Sequence, residues 1–269
     1  MSRNNSTTRE DAISESIGFV LIFSLVIVGI SLVTLYGYPV LLKQQASADQ
    51  QIMEKNMIVI QNDLKSLTYK TVPFKETSLK VGGGTLYALN STTSGQSFNI
   101  TYGTTIDSYP LAGKLGELRY ESNDQQQIVA IENGAVIYRQ PQYAVSGSTM
   151  LAEPRWFYDA PTKTAVVYMI NLSSTNTLSL AGVGTVQTHL VNTSFQIFSR
   201  NPGSDPPFYV GYLPNSDPTK NEDYSGAWRN YITKTLGWTE TPAGSGRYQV
   251  PSDATTLVVK EYDVIVTSL

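Results

Sequence analysis

Ser16 to Leu42 reads SIGFVLIFSLVIVGISLVTLYGYPVLL, an interval with no charged side chain between Glu15 and Lys43. A helix rises 1.5 Å per residue, so the part before Pro39 alone reaches roughly 35 Å, enough to cross a hydrocarbon core of about 30 Å. The interval is too long and too free of charge for the core helix of a soluble domain, and it reads as a membrane span. A secretory apolar region is shorter, about 7 to 15 residues, and no small-x-small cleavage site closes this one. Tyr36 and Tyr38 stand at its far end, where amphipathic rings favour the membrane interface. The apolar helix is therefore expected to remain on the mature chain.

Past Lys43 the pattern changes to QQASADQQIMEKNMIVIQNDLKSLTYK, with Met53, Met57, Ile60, Leu64 and Leu67 at 4-3-4-3 spacing. That spacing draws one apolar stripe along a polar helix. The stripe is too short for a stable coiled coil and is expected to pack on the chain's own globular part. Pro39 interrupts the helical run, removes one backbone donor and is expected to kink the helix there. The helix should end before Pro73.

From Ser78 onward the period drops from 3.6 to 2, with β-branched and aromatic residues between Gly, Asn, Ser and Pro punctuation. The clearest strands are Ser97 to Tyr102, Gln127 to Ile131, Ala135 to Arg139, Thr164 to Leu172, Thr185 to Phe198 and Thr256 to Thr267. Asn133-Gly134 between two apolar runs signals a two-residue hairpin whose turn residues both need positive φ. Gly82-Gly83-Gly84 reads as a turn between strands. Between Arg200 and Val250 the prolines and glycines suggest an elaborated connection, within which Ser225 caps a short helix. That helix carries Trp228, Tyr231, Ile232, Thr235 and Leu236 on one face and ends at Gly237. Core packing is the expected role of Trp228 and Trp238, with stacking on a sugar or a partner subunit as the functional alternative. The fold class is thus α+β: a long N-terminal transmembrane and amphipathic helix, then a mostly antiparallel all-β head.

Composition narrows the chemistry. The chain has 269 residues, 19 basic against 22 acidic, no cysteine and a single histidine, His189. Without clustered Lys and Arg it has no footprint for nucleic acid. Without cysteine it has neither disulfides nor thiolate ligands, and one imidazole cannot build a multi-histidine metal site. His189 sits in a strand pattern and no Gly-x-Ser-x-Gly elbow is present, so a serine nucleophile lacks its base. Neither an enzyme activity nor a cofactor is expected. Asn215, Asp217, Thr219, Asn221 and Asp223 place oxygen-bearing side chains on alternate residues, as a calcium loop would. However, Lys220 stands where glycine belongs and Gly226 where a bidentate glutamate belongs. A solvated loop is the default reading of residues 215–223.

Ahead of the span, Arg9-Glu10-Asp11-Ala12 is followed by Ile13-Ser14-Glu15-Ser16-Ile17-Gly18. The run EDAISESIGFVLIF resembles archaeal type IV pilins and archaellins, whose class III signal peptides are cut just before the apolar segment. The resemblance places the scissile bond between Ala12 and Ile13. It divides the chain into a signal peptide (1–12), a transmembrane or filament-core helix (13–42), an amphipathic extension (43–72) and an extracellular β-rich head (73–269). Glu15 has two readings: simple solvation at the headgroup level near a helix N-terminus, or pairing with a neighbour's N-terminal amine during assembly, as the resemblance implies. The phrases VAIENGAVIYRQ, EPRWFYD, VVYMINLSS and LAGVGTVQTHLV also resemble heads of archaeal pilin-like proteins.

Asn90, Asn99, Asn171 and Asn192 each begin Asn-x-Ser/Thr without proline, and in an extracellular head they are glycan acceptor candidates. The leading expectation is a minor pilin or pseudopilin, processed by a prepilin peptidase and assembled with other pilin subunits by pilus machinery. It would serve adhesion or filament formation at the cell membrane or in a cell-surface pilus. The alternative is a single-pass surface protein that does not polymerise and whose head binds envelope glycan or protein.

Overall fold

Helix α1 runs from Thr7 to Leu32 and α2 from Tyr38 to Tyr69, joined without a break by a π-helical turn, Val33–Gly37. The computed structural model describes residues 7–70, 72–90, 95–110, 115–123, 127–141, 147–215 and 223–269, with side chains from Ser16 onward. Pro39 does not break the helix. The preceding turn widens, and the Tyr38 N–H reaches back five residues to the Val33 carbonyl. A proline ring crowds the carbonyl four residues before it, here Leu35, and the wider turn accommodates that clash one turn ahead of the proline. By contacts the chain divides into two units, Met1–Ala48 and Asp49–Leu269, so the later part of α2 belongs with the head.

Among the described residues the head contains two sheets. The larger has nine strands in the order β7-β6-β5-β4-β1-β10-β14-β9-β8. Its central members are β1 (Phe74–Leu89), β10 (Leu178–Ser199), β14 (Thr256–Ser268) and β9 (Thr164–Ser174). The remainder are β4 (Glu117–Ser122), β5 (Ile128–Glu132), β6 (Ala135–Arg139), β7 (Ser148–Ala152) and β8 (Phe157–Asp159). Its pairings are antiparallel except β14 on β9, which run parallel from Thr256↔Thr164 to Val266↔Ser174. The smaller sheet orders β12-β13-β11-β2-β3, with β2 Ser97–Tyr102, β3 Thr105–Tyr109, β11 Tyr209–Leu213, β12 Thr239–Glu240 and β13 Arg247–Gln249.

The part of α2 from Asp49 onward covers one face of the large sheet, and the small sheet covers the other. On β10 and β14 the paired residues Thr193 and Tyr262 share a face, and Tyr69 at the end of α2 packs edge-on against Tyr262 and Tyr168. On the alternate face, Tyr109 donates a hydrogen bond to Gln196 and Tyr102 packs on Phe198 at 4.2 Å. All five residues of the α2 stripe are buried to 1% exposure or less, as its spacing requires. Gln61, on the same helix, is buried and its side-chain amide donates to the carbonyls of Gly134, Ala152 and Glu153. These bonds dock the helix on the ends of β6 and β7 and give the buried amide its acceptors.

Asn133 and Gly134 both have positive φ, and they make the hairpin that joins β5 to β6. The Asn133 side chain also accepts from the Ile170 N–H at 2.7 Å. Gly82-Gly83-Gly84 is not a turn between strands. It lies inside β1 where the pairing with β10 slips between Val81 and Leu86 and the pairing with β4 begins at Gly84. A Cβ at Gly84 would stand 2.2 Å from the Glu121 carbonyl oxygen, so the glycine marks a close backbone approach.

Gly116 is tighter still: a Cβ there would lie 1.8 Å from the Leu172 carbonyl oxygen. Gly116→Ala is expected to destabilise the head by about 1–3 kcal/mol, the range for overpacking a filled interior. Denaturant midpoints of the two proteins measure it, and an unchanged midpoint would show that the two backbones do not approach as described.

The Arg200–Val250 stretch supplies β11, β12 and β13, three of the five strands of the small sheet, and is more than a connection. Its helix, α3, spans Ser225–Asn230 and continues as a π-helical turn, Tyr231–Thr235. Ser225 is the first helical residue and does not cap it; Tyr224 occupies the cap position. The Asp223 carboxylate accepts the Ser225 N–H instead. Gly237, with φ +71, ends the segment.

Among the described residues, part of β10 is paired on one side only. Residues 191–199 of β10 run past the start of β1, which pairs no further than Phe74↔His189. Val191, Phe195 and Ile197 on this stretch are exposed, and the stretch has none of the charges or prolines that usually guard an edge.

Candidate functional site

The most distinctive surface of the chain is the apolar helix. Every large apolar side chain from Ile17 to Leu42 is exposed, for example Phe19 at 71% and Leu25 at 74%. The helix is apolar on all sides, with a mean hydropathy of 2.7 over its most apolar window and no buried residue in that window. An apolar surface this continuous is not stable against water and needs lipid or other helices around it. Two of its hydroxyls are closed internally: Ser24 Oγ donates to the Val20 carbonyl and Thr34 Oγ1 to the Ile30 carbonyl. Such bonds let hydroxyls reside in hydrocarbon. By length and composition the helix is compatible with a single-pass membrane anchor.

The Ala12–Ile13 bond falls within α1, while the side chains of Ala12, Ile13 and Glu15 lie outside those described. Of the sequon asparagines, Asn192 is exposed and Asn90 and Asn99 are half-buried. Asn171 is only 8% exposed. Its Nδ2, where a glycan would attach, donates to Asp263 Oδ1 at 3.1 Å, and its Oδ1 accepts from the Gly116 N–H. A glycan at Asn171 is incompatible with this packing. In the 215–223 loop, the positions 217, 219 and 221 lie outside the described residues. Among the described residues no cluster of three or more His, Asp and Glu side chains is arranged to hold a metal.

His189 packs against the Phe74 ring at 4.7 Å on β10. Trp228 and Trp238 are buried at 0% and 2% exposure, which makes them core residues. Trp228 sits within ring-contact distance of Phe98, Trp156, Tyr212 and Tyr231.

Sequence reading missed a buried polar cluster beneath α3. Glu132 accepts from Trp228 Nε1 at 2.7 Å and from the Tyr212 hydroxyl at 3.4 Å. On the neighbouring strand β4, where Glu117 pairs with Glu132, Arg119 bridges Glu117 and Glu121. Their alternation along β4 and β5 turns them to the face carrying α3. Glu132, Glu117 and Arg119 are at most 4% exposed, so in this state no substrate reaches them, and their role is to satisfy one another.

Burial pushes the Tyr212 hydroxyl well above its ordinary range, and the Glu132 charge adds to it; burial does the same for Tyr224, with Glu117 contributing. A raised folded-state value means that the stabilisation is complete below about pH 10, where unfolded tyrosine titrates. It is lost as pH climbs beyond that toward the folded value. Phenolate absorbance is therefore expected to lag a free-tyrosine curve and to rise together with loss of the head's circular dichroism. A simple titration of all 17 tyrosines near pH 10 in a folded head would contradict the burial described.

The family model of DUF7289, a family of unknown function, matches residues 12–267, and the chain belongs to that family. No curated protein and no solved structure matches it.

Proposed function

We propose that this DUF7289 chain is a type IV pilin-like subunit, a minor pilin or pseudopilin. In this reading it is cut between Ala12 and Ile13, held in the membrane by the helix that remains, and assembled through that helix into a cell-surface structure. The single observation that carries the reading is the wholly exposed apolar helix from Ile17 to Leu42, placed directly after Arg9-Glu10-Asp11-Ala12. A helix apolar on every side can exchange lipid for the helices of neighbouring subunits without meeting water. The family match begins at Ala12, one residue before the proposed cut, which supports the helix belonging to the shared mature body. A filament also gives the uncharged open edge of β10 a neighbouring head to cover it.

The partners in this reading are the membrane, a prepilin peptidase, pilus assembly machinery and other pilin subunits, with the head outside the cell. Deleting the cell's prepilin peptidase tests the processing step. The protein should then accumulate about 1.3 kDa heavier, the mass of twelve residues at roughly 110 Da each, and should be missing from sheared surface filaments. Unchanged mass, or filaments that never contain the chain in either strain, would favour the alternative of a non-polymerising surface anchor.

A further inference from the structure

Where α2 ends on the large sheet, a cavity of ≈ 380 Å³ opens to solvent. Its wall is Tyr69 from the helix. Its floor is Tyr168 of β9 with Tyr262 and Lys260 of β14, and Thr193 of β10 and Arg155 complete the rim. The three tyrosines hold one another: Tyr69 meets Tyr168 edge-on at 4.9 Å and Tyr262 at 6.1 Å, while Tyr168 and Tyr262 are stacked at 6.2 Å. Each cation is held over a ring, Arg155 over Tyr69 at 5.2 Å and Lys260 over Tyr168 at 5.7 Å.

A ring face positions a cation without neutralising it. Among the described residues neither Arg155 nor Lys260 forms a salt bridge. Two positive charges without a salt bridge among the described residues therefore converge on a cavity lined by three tyrosines and two threonines, in a chain whose net charge is -3. The volume is at the lower end for small-molecule sites and too large for a bare inorganic anion. Stacked rings with their hydroxyls suit a ligand that carries several hydroxyls of its own, while the cations require it to be acidic.

We propose that this cavity is a binding site for an acidic sugar, a saccharide ring bearing a carboxylate or sulfate. The acidic group meets Arg155 and Lys260, and the ring hydroxyls meet Tyr168, Tyr262 and Thr193. A peptide carboxylate would meet the same cations but leave the hydroxyl lining unmatched. The site belongs wholly to the head, so it stands or falls independently of whether the helix is processed or polymerises.

Calorimetric titration of the full-length protein in detergent micelles tests it, using a tetrasaccharide of alternating glucuronate and N-acetylglucosamine as the probe. The neutral N-acetylglucosamine tetramer, tetraglutamate and inorganic sulfate serve as comparators. The acidic tetrasaccharide is expected to bind, more weakly as salt is raised, and at least about tenfold tighter than the neutral tetramer. Arg155→Gln and Lys260→Gln are each expected to weaken it by about fivefold or more; Arg155 is exposed and Lys260 half-buried, and glutamine keeps most of either stem, so melting should change little. Tyr262→Phe, which removes one hydroxyl and keeps the ring, should weaken it by about two- to threefold. No binding, equal binding of the neutral tetramer, or indifference to both cation substitutions would overturn the site. Tetraglutamate or sulfate binding as tightly as the tetrasaccharide would overturn the assignment to a sugar.

Discussion

Trp228→Ala is expected to destabilise the head by about 3–5 kcal/mol, the range for deleting a fully buried aromatic side chain. Trp228 is 0% exposed and lies where the two sheets and α3 meet. Its ring touches Phe98 of β2 at 4.8 Å, Trp156 at 5.3 Å and Tyr212 of β11 at 5.9 Å. Removing it opens a cavity that these large rings cannot collapse into without moving strands. It also takes away the Nε1 donor that meets Glu132 at 2.7 Å and leaves a buried carboxylate short of a partner, a further penalty of about 1–3 kcal/mol. Trp228→Phe separates the two contributions, since it keeps most of the ring and loses only the donor. Denaturant unfolding of the three proteins should place the phenylalanine variant between the other two. If the alanine variant unfolded within about 1 kcal/mol of the parent, the head would not be organised around this cluster.

Placing arginine at Leu25 and Val28 together is expected to release the chain from the membrane. Both side chains are exposed in the middle of the apolar run, at 74% and 54%. A central arginine opposes insertion by about 2.5–3.5 kcal/mol on the biological scale, so the pair opposes it by about 5–7 kcal/mol. Leu25→Ala with Val28→Ala is the control, because it shortens side chains without adding charge. After an alkaline wash of the membranes the alanine protein should stay in the pellet and the arginine protein should appear in the supernatant. An arginine protein that stays embedded would mean that something other than this helix holds the chain.

The features visible in the amino-acid order were the local ones. The uncharged interval Ser16–Leu42, the stripe from Met53 to Leu67 and the Asn133-Gly134 turn each declare themselves within a few residues, because helix period and turn chemistry are local. Nonlocal pairing was hidden. Nothing in Thr256–Ser268 announces a parallel partner some ninety residues earlier at Thr164–Ser174. Gly82-Gly83-Gly84 carries the composition of a turn, yet it serves a place where Glu121 passes close by. The strands between Arg200 and Val250 are two to five residues long, too short for alternation to stand out between prolines. The tyrosine and cation cavity was the least legible, since its residues are scattered from Tyr69 to Tyr262 and only the fold brings them together. The existence and apolar character of the N-terminal helix were legible, but not that the chain answers Pro39 by widening the turn before it.

The proposed route from membrane helix to assembled subunit depends on a cut that removes the charged leader and spares the apolar run. Sequencing the N-terminus of the protein recovered from its native membranes tests this most directly. The expected result is a chain that begins at Ile13 and still carries the residues through Leu42; an intact Met1 or Ser2, or a first residue beyond Pro39, would contradict it.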